Sequence, residues 1–78
     1  MNAGPFDVVW SADARADWHR LPIDEAEAVA VAVHIYATTG EARHVIWVEH
    51  EFLMFVGELV VVMLVEGDTL HIDRVRHA

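Results

Sequence analysis

The sequence predicts an α+β fold: a helical hairpin packed on one face of a twisted, mainly antiparallel sheet, with the element order β-α-α-β-β-β. Three observations carry this expectation. From Glu51 to His77, two apolar runs are joined by Gly57-Glu58 and a third strand-like run follows Glu66-Gly67-Asp68, as in a three-strand antiparallel meander. The middle run, Leu59 to Val65, is apolar at every position, so a strand made from it needs cover on both faces and belongs at the centre of the sheet. Upstream, apolar residues between Ala12 and Ala37 recur at helical spacing, and helices that precede a block of strands give segregated layers.

The first element reads as a strand, because Phe6-Asp7-Val8-Val9-Trp10 combines aromatic and β-branched residues behind a Gly-Pro pair. Ser11 fits a helix N-cap, and in the helix it starts, running to Leu21, Ala14, Trp18 and Leu21 share one face. Asp13 near the start and Arg20 near the end complement the helix dipole. Pro22 stops this helix, and Asp24 is the expected cap of the next. Residues 24 to 37 include Ala26, Ala28, Val29, Ala30, Val31, Ala32, Val33 and Ile35, with acids confined to the beginning, so this reads as a buried helix ending at Thr38-Thr39-Gly40. After the polar link Glu41-Ala42-Arg43, His44 to His50 reads as a strand that leads directly into the meander. The first strand has no hairpin partner, since the helical hairpin intervenes, and is expected across the sheet from the later strands.

A chain of 78 residues is expected to form one domain, residues 1–78, with a small core. At 55% apolar residues it carries more hydrophobic material than its size hides easily, so part of the surface is expected to be an interface. Thirteen acids against five arginines and no lysine give a net charge of −8, which disfavours attraction to nucleic acid or an anionic membrane. Without cysteine, neither a disulfide framework nor a thiolate metal site can form, and a cytoplasmic location is expected. Met1 to Pro5 lacks the basic and hydrophobic regions of a secretory signal. The longest apolar run, seven residues, is far short of what a membrane-spanning helix needs.

Several short motifs follow one another at characteristic spacing. Val9-Trp10-Ser11 leads into Ala12 and Ala14, and Trp18 with Leu21-Pro22 closes the first helix. Val56-Gly57-Glu58 marks a hairpin, and Val65-Glu66-Gly67-Asp68-Thr69 is followed by Arg74-Val75 and His77. In this order, from Phe6 to His77, the chain resembles the RelE/ParE superfamily of bacterial toxins, small proteins of toxin–antitoxin pairs. The resemblance implies the same arrangement of elements and a protein partner such as an antitoxin-like peptide. For ribonuclease members it also implies Arg or Lys around the central hairpin and further basic or aromatic residues near the C-terminus. At the equivalent hairpin positions this chain has Leu53, Phe55 and Val60, and only Arg74, Arg76 and His77 remain near the site, before the sequence ends at Ala78. Cutting an RNA backbone through attack by a 2′-hydroxyl needs a base, an acid and cationic stabilisation of the transition state. As a divergent member lacking the usual basic residues, the chain is therefore not expected to cleave RNA.

Strand alternation puts Arg74 and Arg76 on one face of the last strand and His77 on the other. The arginine pair suits a carboxylate, a phosphate or an acidic peptide, while ion pairs with the chain's own acids are the plainer reading. The same alternation places His71, Asp73 and His77 on one face, where a His-Asp-His set is conceivable. Ligands spaced about 7 Å apart along one strand rarely converge without another element, however. These three, with His44, Glu49, His50 and Glu51, are read as surface groups, and neither a metal nor another cofactor is expected. Trp18 is expected to pack on the sheet, with Trp10 and Trp47 in the core or at its rim. In Phe52 to Val56, Leu53 and Phe55 point one way, and Phe52, Met54 and Val56 the other. Because two helices cover only one face of a sheet, one of these sets is expected to form a partner-binding apolar patch with alternate residues such as Val60 and Val62. The alternative is that the N-terminal segment folds across it. A carboxylate replacing Val62 is expected to be buried without a partner.

Three functional expectations follow. The first is a toxin-like protein that acts by binding protein, either ParE-like with a gyrase-like target or a degenerate relative. The second is a residual ribosome-dependent mRNA endoribonuclease using Arg74, Arg76 and His77. The third is a homodimer or small-molecule-binding module that uses the apolar sheet face.

Overall fold

The computed structural model describes residues 6–41 and 45–78. The segment before Phe6, Ala42 and Arg43 of the polar link, and His44 lie outside the described residues. The elements are β1 (Asp7–Trp10), α1 (Ala12–His19), α2 (Ile23–Thr39), β2 (Val45–Val48), β3 (Glu51–Val56), β4 (Leu59–Glu66) and β5 (Thr69–His77). The class is α+β as expected, with one strand more after the helices than the order β-α-α-β-β-β contains. A two-residue turn at Glu49 and His50 separates β2 from β3, with Val48 paired to Glu51. In the two later hairpins the first turn residue is Gly57 or Gly67, at φ 60° and 59°; in this one Glu49 takes φ 56°. A side chain in that region meets the following carbonyl and costs roughly 1–2 kcal/mol.

The five strands form one sheet in the order β1-β5-β4-β3-β2. All neighbours are antiparallel except β1 and β5, which run parallel. β4 lies at the centre, as its two-sided apolar sequence requires. β1 sits at the opposite edge from β2, and the helical hairpin carries the chain between the two edges across one face of the sheet.

Ser11 makes three bonds at the start of α1. Its Oγ accepts from the Ala14 N–H at 2.9 Å, its hydroxyl donates to the Asp73 carbonyl at 2.8 Å, and its N–H donates to the Ile72 carbonyl at 2.9 Å. The cap thus anchors α1 beside β5. Ala14 is fully buried, and Trp18 packs edge-on against Trp10 at 6.2 Å while its indole N–H donates to the Ala26 carbonyl. Trp18 therefore joins the two helices and the sheet.

α2 begins earlier than expected. Pro22 occupies the N-cap position without a side-chain bond, and Asp24 lies inside the first turn. Gly40, at φ 72°, ends the helix by donating its N–H to the Tyr36 carbonyl. The expectation of a buried helix holds on one side only: Val29, Val33, Tyr36 and Ala37 face the core, whereas Val31 and Ile35 are about half exposed. A single helical layer on a five-stranded sheet has solvent on its outer side.

The core lies between the helices and the sheet face formed by Met54 of β3, Leu59, Val61 and Met63 of β4, and Leu70, Ile72 and Val75 of β5. Phe6, Val8, Trp10, Val45, Phe52 and Val56 close its rim. Among the described residues no helix lies on the opposite sheet face.

Candidate functional site

The pairing register assembles the open face row by row. Arg74, Val62, Leu53 and Ile46 lie side by side across β5, β4, β3 and β2, and Arg76, Val60 and Phe55 form the next row. The result is an apolar field bordered on its β5 side by two arginines. Val60 and Val62 are buried although no helix covers them, because the side chains of the flanking rows crowd in from both strands. Phe55 is exposed and Leu53 half-buried, and Ile46 and Val48 at the β2 edge stand in solvent. Of the residues expected to bind a partner, Leu53, Phe55, Val60 and Val62 therefore share the open face. Phe52 and Met54 do not join them: they point under the helices, Met54 into the buried core and Phe52 onto its rim, edge-on to Trp47 at 4.5 Å.

The three candidates for chemistry are not brought together. Arg74 donates from Nε and Nη2 to the Asp17 carboxylate at 2.8 and 3.2 Å, and Asp17 Oδ2 also accepts the Val75 N–H at 3.0 Å. β1 ends at Trp10, so beyond Ile72 the outer edge of β5 has no strand beside it, and α1 brings Asp17 there instead. The hydrogen bonds from Arg74 hold the Asp17 carboxyl below the usual carboxylate range, against the opposing effect of burial, and the same contact raises Arg74 above its ordinary value. Arg76 is exposed and has no ion pair among the described residues. His77 leaves the strand on the helix side, paired with Leu59, and its Nε2 lies 3.8 Å from Glu25 Oε2.

A β-bulge decides the histidine geometry. The register of β5 shifts between Arg74 and Ile72, leaving Asp73 without a partner in β4. His71 consequently shares the open face with Leu64, Arg74 and Arg76, while Val75 and His77 turn to the helix side. The common face expected for His71, Asp73 and His77 is therefore lost, because uninterrupted alternation was assumed across the bulge. Among the described residues no group of three metal-ligating side chains converges.

Asp17 is the site residue that sequence reasoning missed. Its signal was present: it falls three residues after Ala14 and four before Leu21, at the margin of the apolar face of α1, where an acid needs a partner. Replacing it with alanine is expected to cost about 1–3 kcal/mol, mainly by leaving the Val75 N–H unsatisfied. Its depressed folded pKa makes this contribution complete above the unfolded value near ~3.9 and lost as pH falls through the folded one. Urea midpoints measured from neutral to acid pH should show an acid limb in the parent that Asp17→Ala flattens.

No protein-family model and no curated protein matches this chain. Solved structures do. A chain of the RelBE2 toxin–antitoxin complex from Mycobacterium tuberculosis superimposes with a TM-score of 0.78 at 21% identity, covering 95% of this chain and 99% of that one. A chain of the RelB–RelE antitoxin–toxin complex from Methanococcus jannaschii gives 0.76 at 15% identity, with 88% of each chain covered. No helix among the described residues is long and apolar enough to cross a membrane. The chain thus has the fold of chains found in RelBE toxin–antitoxin complexes, with an apolar field on the sheet face opposite its helices.

Proposed function

We propose that this chain is the toxin-like member of a toxin–antitoxin pair, a single cytoplasmic domain that acts by binding protein through the open sheet face rather than by cutting RNA. The observation that carries the reading is the make-up of that face. Leu53, Phe55 and Val60 stand around the central hairpin, where phosphodiester chemistry would need cations, and Arg74 is already held by Asp17. Arg76 is then the cation left for such chemistry; His77 is on the other side of the strand, and His71 lies beyond Arg74 in the register rather than beside Arg76. Protein recognition needs none of these groups. An apolar centre with a cationic margin suits a partner segment whose large apolar side chains meet Leu53 and Phe55 and whose acidic residue meets Arg76.

Two measurements test this. Primer extension on translated mRNA, with the protein added to a cell-free translation system, is expected to show no ribosome-dependent cuts; cuts that vanish in an Arg74→Ala, Arg76→Ala double variant would overturn the reading. Co-expression with the product of the adjacent reading frame is expected to yield a stable complex that Phe55→Glu disrupts. A complex indifferent to that substitution would place the partner elsewhere.

A further inference from the structure

The outer side of α2 carries a second apolar stripe. Ala28, Val31 and Ile35 face away from the core, with Val31 52% and Ile35 49% exposed, and together with Asp24, Glu27 and Ala32, which is partly buried against the core, they line a shallow groove. Positions 24, 28, 31, 35 and 38 alternate steps of four and three residues, the spacing that seats one helix against another. Small residues at 28 and 32 let the partner's axis approach to about 8–10 Å. The stripe occupies the outer side of the helical layer, whereas the apolar field described above lies on the far side of the sheet, so each can be occupied with the other free.

We infer that this stripe is a docking surface for an amphipathic helix of a second protein, one that lies antiparallel to α2 and carries Lys or Arg in its last turn. Charge complementarity selects this occupant. The groove is acidic at the N-terminal end of α2, through Asp24 and Glu27, while the stripe ends at Thr38. An antiparallel helix brings its own C-terminal turn to the acidic end, where Lys or Arg also complements that helix's dipole. A second copy of this chain fits poorly. α2 has no basic residue in its last turn, so self-pairing would set Asp24 and Glu27 against Ile35, Thr38 or Thr39 in an assembly of two chains that each carry a net charge of −8. The inference rests on the protein-binding function proposed above but assigns it a separate surface.

Two labelled peptides about three heptads long, with identical leucine seams and lysines in either the last or the first turn, provide the test by fluorescence anisotropy. The peptide with lysines in its last turn is expected to bind saturably and roughly tenfold tighter than the other. Val31→Glu, at a half-exposed position, should retain the parent circular dichroism spectrum yet weaken binding by about tenfold or more. The double variant Asp24→Ala, Glu27→Ala should erase the preference between peptides. Equal binding by parent and Val31→Glu, equal binding of the two peptides, or a parent dimer that Val31→Glu converts to monomer would each overturn the inference. Failure of the sheet-face reading shows instead as a complex that Phe55→Glu leaves intact, so the two outcomes are distinguishable.

Discussion

Val61→Asp is expected to leave the chain largely unfolded, whereas Val62→Asp, one position further along the same central strand, should keep a cooperative fold. Val61 is fully buried in the core cluster, between Met54 of β3 and Val75 of β5. A carboxylate there must lose its hydration or its charge and finds no cation, and the valine's own burial is lost as well. Together these cost about 4 kcal/mol or more. A domain of this size is held by roughly 4–12 kcal/mol, from the usual stability per residue, so most of that margin disappears. Val62 is nearly as buried, at 2% exposure, but it belongs to the open face, with Arg74 directly opposite and Arg76 on the diagonal within reach of a long side chain. The sequence alone implied a partnerless carboxylate at this position; the register puts Arg76 within reach and sets alongside it Arg74, whose Nε and Nη2 are engaged by Asp17. Urea unfolding followed by circular dichroism should give no native baseline for Val61→Asp and a loss of about 1–3 kcal/mol for Val62→Asp. The reverse ranking would mean that the helices pack on the other face.

The elements that were legible in the sequence are those whose local chemistry is unambiguous. Gly57 and Gly67 mark their hairpins because only glycine takes positive φ without strain, and the intervening apolar run could be placed nowhere but the centre. The end of β2 was legible only approximately: the strand read as His44 to His50 runs into the turn, because Glu49 does the work of a glycine and leaves no punctuation there. α2 was read as buried because Ala and Val alternate with little regard to face from Ala26 to Ile35. Such a helix looks the same in sequence whether it is enclosed or merely half covered, and the number of layers decides. The apolar field was legible as a pair of alternatives, one of which had to be exposed, since alternation fixes which residues travel together and leaves open which side the helices take. The Arg74–Asp17 bond was not legible as a pairing, because its partners are separated by most of the chain and meet only after β1 stops short of the end of β5.

Association through the open face should be abolished by Phe55→Glu. Phe55, Ile46 and Val48 are 37–48% exposed on this face, and neighbouring Leu53 is only half covered. Fully burying a large apolar side chain is worth on the order of 1.5–3 kcal/mol, so several partly exposed ones on one surface favour any contact that dries them. The edge strand adds to this tendency. β2, Val45-Ile46-Trp47-Val48, holds no charge and no proline, and its outer backbone groups pair with no strand among the described residues, so a second chain can extend the sheet there. A face of this kind accommodates a standard interface of about 800 Å² per partner, whether the partner is another copy or an apolar segment of a different protein. Sedimentation at micromolar concentration should therefore show self-association of the parent, or a complex once a partner is supplied, and a monomer for Phe55→Glu with an unchanged melting curve. Met54→Glu is the control from the adjacent position: Met54 is 3% exposed beneath the helices, so its replacement should unfold the chain rather than dissociate it. A parent that is strictly monomeric, binds no hydrophobic dye and forms its complexes equally well with Phe55→Glu would show that the open face is an unused surface.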